Sequence, residues 1–569
     1  MLHRCRFALA AMTLAASPLA NAADVHDYVP ADTVVYNGVT EAFPKTQLSD
    51  AYPSSWQEFT APGADDSPDQ LADEGGPGAG VLLALVHHYY ASWAEDDYPL
   101  ARFGAAKNSE YALYTVGALP VMRLGLDKPS AFREQLKAAE KAAGVKPTKG
   151  KIQGVSVRRY GFSVAQSDNN LDLIAAIQDG QAVLTLTGSA IPADALATAL
   201  GAEAPEASLA ESNRAGKLAK RHGFIEGSIA YLDHEAIVAG ITNPEANRFG
   251  AMIRPLVETW YGSSNPIPFD KLRQEACHQE ASEMATSWPY SASGFSDIAP
   301  KAQRVRISNV VRVANSGVTK QLARLRGHIP TATDQRALLE LGIGLHVQEL
   351  VPALRQLAED FKQNKTKCET LRTAQKAVHA QSFGELSVIA RTLGDTRGVT
   401  ASLLGLDSPD EGASGEGSSG NGVNPRGVVE IANTDPMALW RFIRGSLSLP
   451  EDVANPEPDG KPVAVSDVAG FGTQWRVALR DNALVILAGD TALPKAAGEK
   501  GLDANGILSV REDIGRLARA SETYSQSLGT NVPGSGMIAM AESINAYLDM
   551  GLDFTNQGVG FDMEISPAN

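Results

Sequence analysis

Residues 121–187 read VMRLGLDKPSAFREQLKAAEKAAGVKPTKGKIQGVSVRRYGFSVAQSDNNLDLIAAIQDGQAVLTLT, and their pattern decides the fold. VMRLGL (121–126) reads as a strand. Asp127 and Pro129 open a helix with Phe132, Leu136 and Ala139 on one face, and Gly144 closes it. Residues 152–157 follow as a second strand. Residues 171–178 and 181–187 then flank Asp179-Gly180, the pair a two-residue type I′ turn demands because both central residues need positive φ. The unit is strand, helix, strand, hairpin.

A later stretch repeats this order. Residues 428–432 read as a strand, Asp435-Pro436 opens a helix carrying Leu439 and Ile443, 462–465 is a strand, and 473–479 with 484–488 flank Asp481-Asn482. Pro129 matches Pro436, Val155 matches Val463 and Asp179 matches Asp481, at offsets of 307, 308 and 302. GKLAKR from Gly216 resembles GRLARA from Gly515, and Ile229-Ala230 resembles Ile538-Ala539, at offsets of 299 and 309. Five short matches in one order point to an internal duplication. Residues 410–424, with five Gly and three Ser, have the composition of a flexible linker. The offset is 288 just before them (Gly117 against Gly405) and 307 just after, so they read instead as an insertion between two strands of one lobe.

Outward from these units, 247–261 and 270–286 read as helices, 304–313 as a strand, 348–363 as a helix, and 552–565 as a closing hairpin around Asn556-Gln557-Gly558. The expected fold class is α+β: two similar lobes of mainly antiparallel sheet with packed helices, joined by a helical segment. The expected boundaries are a leader at 1–22, a first lobe at 23–245, a mainly helical connector at 246–335, and a second lobe at 336–569 holding the Gly/Ser-rich loop.

Apolar residues are 44% of the 569 and charged residues 20%, which excludes a disordered or collagenous chain. The net charge of −16 would repel phosphate backbones and anionic head groups, which argues against a nucleic-acid partner. The first residues read as an address. His3, Arg4 and Arg6 precede a mostly apolar run at 7–16, and Ala20-Asn21-Ala22 supplies a small-x-small cleavage pattern, as in a secretory signal peptide cut after Ala22. Ten apolar residues are about half a bilayer span. No later run is long enough either, so no membrane span is expected in the mature chain.

Cys5 leaves with the leader, and Cys277 and Cys368 remain as an even pair in an oxidising compartment. A disulfide between them is expected; two buried thiols are the alternative, and a metal site would need ligands beyond the nearby His278. Chain-entropy reasoning puts the stabilisation from so long a loop at about 4 to 5 kcal/mol at most.

Catalytic patterns fare poorly. Ser167-Asp168-Asn169 matches one element of the serine β-lactamases, without the partner motifs that chemistry needs. Ser418-Ser419 lacks the strand-turn-helix of a nucleophile elbow. His87 and His88 are adjacent on a helix and point about 100° apart, so they read as core-edge residues rather than as chelators. Asp233-His234-Glu235 reads foremost as a helix cap after a strand. Asp65, Asp66, Asp69, Asp73 and Glu74 lack the Gly and Glu of a calcium loop. Gly76, Gly78 and Gly80 lack the lysine of a phosphate cradle. No catalytic residue, cofactor or metal is assigned.

Several segments are familiar as a set: ADTVVYNGVTEAFP (31–44), YALYTVGALPVMRLGLDKPSAFREQL (111–136), SLAESNRAGKLAKRHGFIEGSIAYLD (208–233), EACHQEASEMA around Cys277, the later Cys368, and DGKPVAV (459–465). Together they resemble a group of uncharacterised exported proteins of Gram-negative bacteria that share a domain of unknown function. The resemblance implies a periplasmic protein with a Cys277–Cys368 disulfide and carries no activity. Residues 410–424 depart from that group's pattern. The expected function is binding of a ligand or envelope partner without catalysis. The alternatives are a hydrolase of envelope substrates using Ser167, Asp168 and His234, or a structural spacer.

Overall fold

The computed structural model describes residues 24–568 except 41, 45–46, 49–50, 52–66, 96–98, 164–170, 262–269, 332, 334, 364–365, 381–382, 408–423, 447–448, 450–452, 466–473, 495–500 and 528–543. Two compact units divide the chain. One holds Met1–Tyr52, Gln57–Arg312 and Thr366–Thr373; the other holds Pro53–Trp56, Val313–Lys365 and Ala374–Asn569. In chain order the helices among the described residues are α1 (Pro68–Gly75), α2 (Pro77–Glu95), α3 (Pro129–Ala142), α4 (Ala193–Leu200), α5 (Leu209–Ser212), α6 (Arg214–His222), α7 (His234–Thr242), α8 (Arg248–Tyr261), α9 (Glu275–Ala285), α10 (Ser316–Leu325), α11 (Val347–Gln363), α12 (Glu369–Ala380), α13 (Gly384–Leu393), α14 (Pro436–Ser446) and α15 (Ile514–Ser527).

The strands of the first unit are β1 (Val35–Val39), β2 (Tyr111–Val116), β3 (Leu119–Gly125), β4 (Thr148–Ile152), β5 (Val155–Phe162), β6 (Leu171–Gln178), β7 (Gln181–Gly188), β8 (Ser228–Asp233), β9 (Tyr290–Ala299) and β10 (Arg304–Arg312). They pair antiparallel throughout, in the order β10-β9-β8-β1-β2-β3-β7-β6-β5-β4. Helix α3 is the one expected after Pro129: Phe132, Leu136 and Ala139 are buried, and Gly144, at φ +66°, follows its end. The β6–β7 tip is the expected positive-φ turn, with Asp179 at +48° and Gly180 at +77°. A second turn of that kind, Gln153 (+49°) and Gly154 (+84°), splits the single strand expected at 152–157 into β4 and β5. Gln-Gly is not among the pairs that signal such turns, so the sequence hides it.

The segment expected to be a helical connector, 246–335, is not a separate body. Its helices α8 and α9 and its strands β9 and β10 lie within the first unit, where β9 pairs with β8, while residues 313–335 with α10 lie within the second. The core of this unit gathers Tyr36, Tyr114, Val121 and Val183 from one sheet face with Leu196 and Leu200 of α4 and Leu218 of α6. Beside it Arg123 is 0% exposed. Its Nε donates to the Tyr114 hydroxyl (2.9 Å), Nη1 to Gln181 Oε1 (2.8 Å) and Nη2 to the Ala199 carbonyl (3.1 Å), and its guanidinium lies 4.2 Å from the Tyr28 ring centroid. These partners are all neutral. The charge is held by oriented dipoles and the face of an aromatic ring.

The strands of the second unit are β11 (Leu339–Ile343), β12 (Thr396–Asp407), β13 (Asn424–Asn433), β14 (Val463–Val465), β15 (Trp475–Arg480), β16 (Ala483–Ala488), β17 (Leu508–Asp513), β18 (Ala546–Thr555) and β19 (Gly558–Pro567). Their order is β19-β18-β17-β11-β12-β13-β16-β15-β14, again antiparallel. On α14, Leu439 and Trp440 are buried against Val477, Leu479 and Leu484, and the carboxylate of Asp435 caps the helix through the Ala438 N–H (2.9 Å). The β15–β16 tip, Asp481-Asn482, makes its two-residue turn without positive φ. The Gly/Ser-rich stretch falls outside the described residues up to 423. The strands on either side of it pair with each other, Asp407 opposite Asn424, so it joins neighbours in one sheet. The expected match of GKLAKR with GRLARA is not positional: α6 precedes β8, whereas α15 follows β17. Ile229-Ala230 lies in β8, and its expected match Ile538-Ala539 is outside the described residues.

At the start of α11, Arg397 Nη1 donates to His346 Nδ1 (3.0 Å), while His346 Nε2 faces Asp395 Oδ1 at 3.4 Å. Burial and the adjacent Arg397 charge hold the imidazole below its ordinary pKa. Burial opposes the Asp395 carboxylate, yet hydrogen bonds and the charge of Arg397 hold it below the usual range.

Two outcomes are expected. Arg123→Met strands the Tyr114, Gln181 and Ala199 acceptors and should destabilise the fold by about 2–4 kcal/mol in urea unfolding. With its folded pKa depressed, His346 favours the native state above its unfolded pKa of about 6.5, and that contribution fades as pH falls. Acid titration of stability from about pH 7 to 5 should therefore show a loss that His346→Gln reduces.

Candidate functional site

Strand β11 reads Leu-Glu-Leu-Gly-Ile, a plain alternation. An antiparallel sheet usually turns its apolar positions inward. Here the polar ones are covered: Glu340 is 5% exposed and Gly342 is buried, whereas Leu341 is 45% and Ile343 47% exposed. The neighbours follow suit, because residues directly opposite across strands share a face. One open row runs Val399–Ile343–Leu508–Leu552–Phe561 and the next Ala401–Leu341–Val510–Met550–Met563. Leu508 and Phe561 are also over a third exposed.

The covered face is polar, and its central groups are hydrogen-bonded, although the buried Ser509 hydroxyl has no partner among the described residues. Ser402 Oγ donates to Glu340 Oε2 (2.7 Å), Arg511 Nη1 to Glu340 Oε1 (2.9 Å) and Arg511 Nε to Asp549 Oδ2 (3.1 Å). Thr400 Oγ1 donates to the Pro330 carbonyl (2.8 Å). The carboxylate of Asp513, at the end of β17, caps α15 through the Arg516 N–H (2.9 Å). Each half-exposed Leu or Ile on the open face forgoes roughly 1 kcal/mol of burial. Contiguous apolar surface of this kind marks an interaction site in folded proteins. Read strand by strand, the sequence carries the alternation in LELGI, LSVRE and LDMGLDF; it does not say which face the chain covers.

The cysteine pair is bonded: the Cys277 and Cys368 sulfurs are 2.08 Å apart. Cys277 lies on α9, and one turn further on Glu280 grips the other strand of the link. Its carboxylate accepts the Thr366 hydroxyl, the Lys367 N–H (2.6 Å) and the Cys368 N–H (3.2 Å). Despite burial, these donors hold the Glu280 pKa below its usual value. Residues 366–373 thereby count with the first unit, although the sequence on both sides belongs to the second.

Of the hydrolase residues, Ser167 and Asp168 lie outside the described residues, as do Ser418, Ser419, Asp65 and Asp66. Asp233 is the cap expected, accepting the Ala236 N–H (2.9 Å), and Arg214 pairs with it. His234 meets a serine the sequence does not single out: Ser291 Oγ is 3.0 Å from Nε2, and Nδ1 is 3.0 Å from the Trp288 carbonyl. That carbonyl fixes the tautomer that leaves Nε2 as a base. Ser291 sits inside β9, opposite Leu232 of β8 and Val311 of β10, so the nearby backbone N–H groups are committed to the ladders and cannot form an oxyanion hole. His87 and His88 are half-buried on α2, and burial lowers the His88 pKa. Gly76 and Gly80 make room for backbone: a Cβ would stand 2.4 Å from Ser163 N at the first and 2.4 Å from Pro68 O at the second. Among the described residues, one group combines His, Asp and Glu donors at metal-binding spacing, Asp24, His26 and Glu110. Sequence reading passed over it, because Glu110 is 84 residues from His26.

Comparison with protein-family models, with curated proteins and with solved structures finds no match to this chain. Among the described residues no helix is long and apolar enough to cross a membrane.

Cys368→Ser is expected to lower unfolding free energy by about 2–5 kcal/mol. Non-reducing peptide mapping of the wild type should recover the Cys277–Cys368 crosslink; two free thiols would contradict it.

Proposed function

We propose that this chain is an exported envelope protein without catalytic function, built from two copies of one α+β unit, and that it binds a partner protein through the open apolar face of β11, β12, β17, β18 and β19. The observation that carries the reading is the reversed polarity of that sheet: Leu341 and Ile343 face out while Glu340 is covered. Export is supported by the leader pattern at 1–22, by the resemblance to exported Gram-negative proteins, and by a disulfide of the kind that oxidising compartments preserve.

The duplication is supported by register as well as strand order. Reading β11 for β1 and so on along the chain, with β4 alone lacking a counterpart, turns one order into the other. The Asp233 N–H donates to the Val34 carbonyl and the Asp513 N–H to the Leu338 carbonyl, and each aspartate caps the helix that follows. From that anchor the pairings equate Gly38 with Gly342, Gly117 with Gly405, Val121 with Val428 and Tyr290 with Tyr547. The resulting offset is 288 in β12 and 307 in β13, a jump that supports an insertion between them. By the same registers Val463 is equivalent to Arg158 rather than Val155, three residues from the match in the sequence.

On this equivalence the buried Tyr36, Tyr114 and Tyr231 of the first unit correspond to Glu340, Ser402 and Arg511 of the second. Asn37, on the opposite face, corresponds to Leu341. The second copy keeps the ladder while its covered face has changed from tyrosines to polar and charged residues; the opposite face is already mainly apolar in the first unit, where Val35, Val39, Leu113 and Leu232 surround Asn37.

A photo-crosslinking residue placed at Ile343 should trap a second, different protein in intact cells, and the additional change Leu341→Glu should abolish the adduct without altering thermal unfolding. Recovery of the uncrosslinked chain alone, or of an adduct with itself, would overturn the reading.

A further inference from the structure

Away from that face, a short 3-10 turn at Val25–Tyr28 gathers donors from two distant segments. Asp24 precedes the turn and accepts the His26 N–H on Oδ1 (2.8 Å). His26 Nδ1 lies 3.2 Å from the same oxygen and 3.6 Å from Oε2 of Glu110, which itself accepts the Val25 N–H (3.1 Å). One ligand atom from each of the three side chains lies within 4.8 Å of the others. His26 and Glu110 are largely covered, whereas Asp24 is about half exposed.

We propose that Asp24, His26 and Glu110 form a site for a divalent transition-metal ion, with Zn²⁺ the ion its donors fit best. In a tetrahedral zinc site with ligands at about 2.0–2.2 Å, donor atoms stand roughly 3.3–3.5 Å apart. The two His26 separations bracket that spacing. The exposed side of Asp24 leaves a fourth position open to water. One imidazole nitrogen with two carboxylates suits zinc; calcium and magnesium ask for an all-oxygen shell of six or more.

Charge separates this reading from a simple ion pair. A protonated His26 between two carboxylates leaves the trio at −1, and a divalent ion on neutral His26 brings it to zero. A metal ion and a proton compete for the same imidazole nitrogen, so binding should weaken as pH falls.

The test is calorimetric titration of ZnCl₂ into the purified, chelator-treated full chain. One site per chain is expected, with proton release visible as a dependence of the heat on buffer ionisation enthalpy near pH 6.5. His26→Gln, Glu110→Gln and Asp24→Asn should each weaken binding by tenfold or more. Asp24→Asn keeps a side-chain oxygen for the His26 N–H, so the variant should still unfold cooperatively without metal, while the rise in Tm that zinc gives the wild type should be lost. Absence of saturable binding below about 100 μM free zinc, or binding that all three variants leave unchanged, would overturn the proposal.

Discussion

A residue in a β-strand has two directions in which to point, and its neighbours across the ladder must point the same way. In the second unit that constraint commits nine strands to one arrangement. Once Glu340 is covered, Ser402 is covered with it and Arg511 lies on the same face, and Leu341, Ala401 and Val510 are left on the other. A slip of one residue would restore the ordinary polarity. It does not occur because the register is pinned elsewhere: the Asp513 N–H bonds the Leu338 carbonyl, and Gly342 is so close to Ile329 that a Cβ there would stand 2.4 Å from its Cγ2.

The covered polar face is tolerable because its buried carboxylate is paired. Glu340 has Ser402 and Arg511, and Arg511 has Asp549 as well. Removing one partner would leave a desolvated charge, whereas the network as a whole adds little net stability. Its consequence is specificity of arrangement. Arg123 in the first unit solves the same problem differently, with a hydroxyl, an amide, a carbonyl and an aromatic face in place of a carboxylate. Arg123 and Glu340 are buried charges whose neighbours come from several strands or helices, and both fix how those elements meet.

What could be read from the sequence was local. Pro129 and Gly144 bracket α3, and Asp179-Gly180 makes its hairpin, because each signal acts through the residue's own φ. The disulfide followed from counting. What could not be read was long-range. Strands β9 and β10 lie beyond two helices, so 246–335 looks like a connector until β9 is seen beside β8. Ser291 meets His234 across 57 residues, and Glu110 meets His26 across 84. The alternation in β11 was visible, but periodicity separates two faces without saying which one the rest of the chain will cover.

That ambiguity has a physical root with functional weight. The ladder is made by backbone N–H and C=O groups, which every side chain shares, so strand order and register persist while the polarity of a face changes. On the proposed duplication, one unit keeps tyrosines where the other carries Glu340, Ser402 and Arg511, and the hydrogen-bonded frame is common to both. An apolar face opened in this way invites self-association. The chain's charge of −16 opposes contact between like copies. It leaves the face available to a partner whose surroundings are less acidic. A binding surface can thus arise from residues that look like core in any single strand, and its recognition depends on seeing that the other side of the sheet is already occupied.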